Sequence, residues 1–198
     1  MPYSKKHKVN SRKRILNSAI TLFSTKGFDQ VSIDDLMTHA GLTRGAFYSH
    51  FESKQAVYSK AIIAGAKKSR IAHKKPNNLS DEEWAKNLLC GYLSEDHLEQ
   101  KFSPCPLAFL VTDIANNEDE VRTTYTRMYE MLNKTIQSQL SNNPEQATPS
   151  EQEILATTAM MIGGVAIGRA LNDNGMMKEL LSSCRDEALN LLKLNKSA

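Results

Sequence analysis

Ser32-Ile-Asp-Asp-Leu-Met-Thr-His-Ala-Gly-Leu-Thr-Arg-Gly-Ala-Phe-Tyr-Ser-His-Phe-Glu-Ser-Lys54 holds the signals for two short helices and one tight turn in a single run. Ser32 stands before Ile33 and Leu36, with Asp34 and Asp35 in the turn that follows. A side-chain acceptor at an N-cap and early carboxylates satisfy the free amides of a helix start and suit its dipole, so a helix is predicted from here. Gly41 supplies the left-handed residue that ends it, Leu42 a buried spacer, and Thr43 a cap for a second helix. Two helices joined by a short Gly-containing turn form a helix-turn-helix, whose second helix lies in the major groove where the motif binds DNA. The same local pattern also fits an αα-hairpin with a solvated polar face.

On the second helix, Ala46, Phe47 and Phe51 can pack inward, which leaves Thr43, Arg44, Tyr48 and His50 with polar tips facing out. Gly45 has no side chain and lets the backbone approach a duplex closely, so that Tyr48 and Lys54 reach flanking phosphates.

At these residues the chain resembles the TetR family of bacterial transcription regulators. The resemblance covers about residues 11 to 58. It comprises Phe23, Gly27 and Phe28 at the end of a first helix, then Val31 to Leu36, then Ala40-Gly41-Leu42-Thr43, then the run Gly45 to Lys54. It implies an all-α fold, with an N-terminal three-helix DNA-binding domain joined by a long helix to a larger ligand-binding and dimerisation domain. It also implies DNA contacts from Ser32, Thr43, Arg44, Gly45, Tyr48, His50 and Lys54. The expected domains are 1–54, with an arm at 1–10, and 55–198.

Composition agrees with a helical, two-part chain. The 198 residues are 40% apolar and 24% charged, with only 9 Gly and 6 Pro, ordinary for a globular protein of this length. The net charge of +3 hides an asymmetry: residues 1–75 carry 15 Lys and Arg against 4 Asp and Glu, residues 76–198 carry 10 against 18. A basic head displaces counterions from a nucleic-acid backbone. An anionic membrane would attract it too, but no adjacent amphipathic anchor and no run near ~20 apolar residues accompanies it. Three widely spaced cysteines fit reduced thiols, and no apolar export segment follows the basic N-terminus, so the expectation is cytoplasmic, with no membrane partner.

Along the chain, residues 1–10 carry Lys5, Lys6 and Lys8 without apolar periodicity and read as a mobile arm, either lying along the minor groove or serving as a solubilising tail. Ile15 to Phe23 recur at helical spacing, and Gly27 ends that helix. Arg12, Lys13 and Arg14 in its first turn oppose the helix dipole, which points to a phosphate partner. After Lys54 a long helix runs to about Lys75, before Pro76. Ser80 with Glu83, and Ser150 with Glu153, have capping-box spacing, and Leu107 to Ile114 reads as one apolar helix. The helix after Ser150 is apolar nearly all round and keeps Gly163, Gly164 and Gly168, which favours close helix packing. With the last helix it is expected to pair with its symmetry mates in a four-helix homodimer interface; completing a monomer core is the other reading.

No nucleophile elbow, Walker loop, His-Glu-x-x-His or Cys-x-x-Cys is present and the histidines are scattered, so no catalytic residue, metal or cofactor is expected. Cys105, between two prolines at a helix start, is a candidate redox-sensitive thiol lowered by the dipole, or else a small inert hydrophobe. The resemblance implies an inducer pocket in the larger domain. Trp84, Tyr92, Phe109, Tyr125, Tyr129 and Met160 suit an apolar or aromatic small molecule, with Phe102 and Met128 beside them and Asp113 or Arg169 for polar orientation.

The expected function is a homodimeric repressor that binds a palindromic operator in double-stranded DNA and is released by an unidentified small-molecule inducer. A sequence-independent DNA binder, or a helical ligand-binding protein that keeps the fold without operator-specific repression, would share much of this pattern.

Overall fold

Gly27 and Gly41 carry positive φ, +79° and +61°, and each ends a helix where the chain must turn back on itself. They divide the front of the protein into α1 (Lys5–Lys26), α2 (Ile33–His39) and α3 (Arg44–Phe47). The computed structural model describes residues 5–68, 75–101, 105–141 and 148–194. Among the described residues there are eight further helices and no strand: α4 (Lys54–Lys68), α5 (Asp81–Tyr92), α6 (Glu95–Leu98), α7 (Pro106–Phe109), α8 (Val111–Ala115), α9 (Asp119–Leu140), α10 (Glu151–Ala170) and α11 (Asn174–Leu191).

The caps form as the sequence dictates. Ser32, Ser80 and Ser150 each accept from the backbone amide three residues on, and Asp35, Glu83 and Glu153 reach back to the cap amides. These reciprocal bonds hold all three carboxyls below the usual carboxylate range; the side-chain bond from Ser32 leads at Asp35, the cap amide bond at Glu83 and Glu153.

Two apolar cores result. The front core gathers Ile15, Phe23, Leu36, Phe47, Val57, Tyr58 and Ile62, with Leu110, Ile114 and Val121 contributed from later in the chain. The rear core gathers Trp84, Leu89, Tyr92, Leu107, Phe109, Leu132, Ile136, Ile154, Val165 and Leu181. Tyr125 and Met128 pack against both. The buried face of α4 therefore belongs to the front core, so a division at 54/55 falls at the start of a helix that helps to fold the head.

Three local expectations differ from the structure. Lys5–Asn10 are the first turns of α1 rather than an irregular arm, because no Gly or Pro interrupts the chain between 5 and 26; residues 1–4 lie outside the described residues. Arg12–Arg14 accordingly sit well inside α1. The predicted 107–114 helix breaks at Leu110 (φ −119°, ψ 4°), where the chain passes from the rear core to the front one. The end of the long helix expected near Lys75 falls partly in residues 69–74, also outside the described residues.

α10 is long and apolar enough on average to cross a membrane, though Glu151, Glu153 and Arg169 interrupt it, and 44% of its most apolar stretch is buried within the protein. Its glycines divide by side: a Cβ on Gly168 would lie 2.7 Å from Leu98 Cδ1 and one on Gly164 3.0 Å from Leu93 Cδ2, whereas Gly163 faces open space. Close packing thus requires two of the three.

Candidate nucleic-acid interface

The turn between α2 and α3 is fixed from both ends. The amides of Gly41 and Leu42 bond to the carbonyls of Thr38 and Met37 at 2.9 Å, closing α2. From α1, Arg14 donates to the Gly41 carbonyl at 3.1 Å, and Arg12 donates to the His50 carbonyl while its guanidinium lies 4.3 Å from the Phe51 ring centroid. The basic residues expected to seek phosphate are thus, in part, braces for the turn.

This bracing presents Thr43, Arg44, Gly45, Tyr48 and Ser49 to solvent in one run, over a sealed Phe47. Tyr48 is 60% exposed and rests edge-on against Phe47, with ring centroids 5.3 Å apart. Nothing lies within 4 Å of the position a Cβ on Gly45 would take, so packing inside the protein does not require glycine there. Arg44 pairs with Asp34 on α2, both side chains more than half exposed. Ser32 is also exposed, with its hydroxyl engaged in the α2 cap.

His50 and Lys54 stand differently. His50 is half-buried with Nδ1 sealed and unpartnered, and burial followed by the nearby Lys8, Arg12 and His7 pushes its pKa down. The Lys54 ammonium lies 4.1 Å from the Phe28 ring centroid. Partial burial lowers its pKa against the opposing pull of Asp29 and Asp113. Lys54 thus sits at the edge of the surface, drawn toward the body.

Of the residues expected to line an inducer pocket, Trp84, Tyr92, Phe109, Tyr125, Tyr129 and Met160 gather in or against the rear core, and the two polar companions do not join that set. Asp113 stands elsewhere: its Oδ2 accepts from the Phe28 amide at 2.6 Å, where the head meets the body. Arg169 spans the same seam, stacked 4.1 Å from the Phe109 centroid and reaching the Ser24 and Phe109 carbonyls. Trp84, Tyr92 and Phe109 are buried in the rear core, Met160 packs at its edge, Tyr125 donates to the Leu107 carbonyl at 2.9 Å, and Tyr129 bonds the Thr158 hydroxyl at 3.0 Å. Phe102 lies outside the described residues. Cys105 is buried beside Tyr92, and burial pushes its thiol up, against the smaller opposing pull of Tyr92 and of the Leu107 and Ala108 backbone. The helix it precedes has only four residues, too short for the dipole effect expected there. Among the described residues no group of His, Cys, Asp or Glu could hold a metal ion.

Asp113 and Arg169 had no mark in the sequence as links between head and body, because their partners are main-chain groups far away in the chain. Only the fold reveals them.

Residues 15–61 match the family described as "Bacterial regulatory proteins, tetR family". The HTH-type transcriptional regulator YdgC of Bacillus subtilis is 32% identical over 97 residues, 44% of this chain and 50% of YdgC. IcaR of Staphylococcus aureus, a negative transcriptional regulator of the biofilm operon icaADBC, is 37% identical over 49 residues, 25% of this chain and 26% of IcaR. The matches thus span about half or less of these relatives. Among solved structures, the reduced form of Escherichia coli NemR superposes with a TM-score of 0.76 at 14% identity, covering 94% of this chain and 99% of NemR. A TetR-family regulator from Cytophaga hutchinsonii gives 0.74 at 21% identity, covering 97% and 98%. These likenesses establish the fold.

Proposed function

From membership of the tetR family of bacterial regulatory proteins, which residues 15–61 carry, we propose that this chain is a homodimeric, sequence-specific DNA-binding repressor released from a palindromic operator by a small molecule. The observation that carries the reading is the solvent-facing run Thr43 to Ser49, held rigid by the Gly41 turn and by Arg12 and Arg14. On this reading Arg44 exchanges its Asp34 partner for a base edge, Gly45 admits the duplex backbone, and Tyr48 meets phosphate. The negative regulator IcaR, 37% identical over 49 residues, supports repression as the outcome.

Dimerisation is supported by the outer face of α10. Leu155, Ala159 and Ile167 are exposed there, with Leu155 at 41% and Ile167 at 53%, around the open Gly163; Met176 of α11 is 59% exposed. A stripe of small and apolar residues without cover in the monomer suits an isologous helix pair, which would set two reading heads one helical turn of DNA apart.

Release requires that a ligand favour a state whose heads are mis-spaced. The seam formed by Asp113 with Phe28, and Arg169 with Phe109 and Ser24, is a direct route by which a shift of α7, α8 or α10 would tilt α1 and the turn it braces.

Binding of the purified protein to fragments of its own genome tests the reading. A small set of retained fragments, with displacement by specific hydrophobic metabolites, is expected; uniform retention or none at low salt would overturn it.

A further inference from the structure

Four carboxylates stand among the 15 Lys and Arg of residues 1–75: Asp29, Asp34, Asp35 and Glu52. Asp35 is spent on the Ser32 cap. Asp34 instead pairs with Arg44 and so bridges α2 to the first residue of α3. The Asp34 and Arg44 side chains are 55% and 61% exposed, and the Gly41 turn fixes the helices that carry them, so that a carboxylate shares the solvent face of the arginine proposed to read a base edge. On a surface built to meet a polyanion, that charge has the wrong sign for bulk affinity.

Magnitudes decide what becomes of the pair in a groove. An ion pair this exposed holds by at most about a fivefold preference, whereas an arginine bidentate on guanine O6 and N7 discriminates by about five- to 150-fold. Arg44 therefore leaves Asp34 for guanine, and Asp34 is left with a full negative charge beside phosphate strands unless a donor takes the place of the guanidinium. The base edges differ in what they offer. Guanine O6 and N7 and thymine O4 are acceptors that repel a carboxylate, and adenine sets its N7 acceptor beside its N6 amino group. Cytosine N4 is a donor with no acceptor beside it.

We propose that Asp34 is a specificity-determining residue, which accepts from the N4 amino group of a cytosine when Arg44 turns to guanine. The ion pair between α2 and α3 is thus exchanged for two bases of opposite demand, in one G·C pair or in neighbouring pairs, and neither charge is left without a partner. The proposal rests on the DNA-binding reading above and adds to it a base reader from α2, outside the run Thr43 to Ser49. Where no cytosine falls in register, Asp34 faces acceptors and phosphate, so its contribution is discrimination rather than affinity.

The test uses full-length protein and a duplex selected from random sequence by the wild type, with its cytosines replaced one at a time by N4-methylcytosine. This base keeps its Watson–Crick pair and carries a methyl group where the groove-facing amino hydrogen stood. Wild-type binding is expected to weaken about tenfold or more at one cytosine per half-site, in the base pair of the guanine that Arg44 reads or the next one. Asp34→Ala is expected to lose this dependence, to keep the block by methylation of guanine N7, and to bind a scrambled duplex at least as tightly as wild type. Asp34→Asn, with a neutral acceptor oxygen, should keep part of the dependence, so a folding defect in the alanine variant would not decide the result. Wild-type protein indifferent to N4 methylation at every cytosine, while guanine N7 methylation still blocks it, overturns the role of Asp34 and keeps the DNA-binding reading. Indifference to both overturns that reading too. Loss of the guanine N7 block in Asp34→Ala would show that Asp34 only holds Arg44 in place, and would also overturn the proposal.

Discussion

Asp113 Oδ2 accepts a hydrogen bond from the backbone N–H of Phe28 at 2.6 Å, joining the end of the first helix to a residue 85 positions later. Directly beside this bond, a Cβ on Gly27 would lie 2.9 Å from the same oxygen, at a φ of +79°. The head is thus held to the body at a point where the backbone has almost no freedom. Phe28 also stacks on Phe23 and Tyr58 and receives the Lys54 ammonium, so that one residue reports the position of the body to the edge of the DNA-facing surface.

Removing that tie should loosen the head without altering its chemistry. Asp113→Ala leaves the part-buried Phe28 amide without its acceptor, at an expected cost of about 1–3 kcal/mol in denaturant unfolding. Operator affinity should fall with base preference unchanged. Asp113→Asn, which keeps an acceptor oxygen, should lose less. A variant as stable as wild type would show that the bond contributes nothing.

Tyr58 offers a change of the opposite sense. Its hydroxyl is sealed in the front core without a hydrogen-bond partner, and burial, ahead of Asp113 and Asp29, keeps the phenol un-ionised well above its ordinary range. Tyr58→Phe removes an unsatisfied polar atom while keeping the ring that packs on Phe23 and Phe28. The expected result is unchanged or raised stability, by up to about 1 kcal/mol, measured by urea unfolding. A clear loss would mean that the hydroxyl has a partner.

Gly45 separates folding from recognition. Its surroundings are open and it sits inside a helix, so Gly45→Ala should stabilise the fold by about 0.5–1 kcal/mol through lower chain entropy. The same methyl stands where the duplex is proposed to approach, and DNA affinity should drop at least about tenfold, or about 1.4 kcal/mol. Gain in both stability and DNA affinity would place the duplex elsewhere.

Acid should weaken the helix starts together. Asp35, Glu83 and Glu153 have folded-state pKa values below their ordinary ones, so the stability they contribute is complete above the usual carboxylate range and is lost as pH falls through it toward the lowered values. Glu83→Gln together with Glu153→Gln should flatten the fall in melting temperature between pH about 5 and about 3. An unchanged acid limb would mean that other carboxylates govern it.

The parts of the fold legible in sequence were those that depend on near neighbours. Ser32 with Asp35, Ser80 with Glu83 and Ser150 with Glu153 are three residues apart, and Gly41 ends a helix by its own backbone. What escaped depends on distant partners. Asp113 looks like a ligand-orienting carboxylate until Phe28 is brought to it, and Cys105 looks like a dipole-activated thiol until the core closes over it. Leu110 breaks an apolar run only because two separate cores claim its two sides. Lys5–Asn10 lack apolar periodicity and yet continue α1, since helix formation there needs no buried face.

The central claim is that Thr43 to Tyr48 enter a major groove. Methylation of guanine N7, which projects into that groove, tests it most directly on a duplex selected by the wild-type protein. The account predicts that N7 methylation blocks binding at guanines in two half-sites about one helical turn apart, and that Arg44→Ala loses the block at one guanine per half-site while keeping the rest. Binding that is indifferent to N7 methylation throughout the duplex would contradict it.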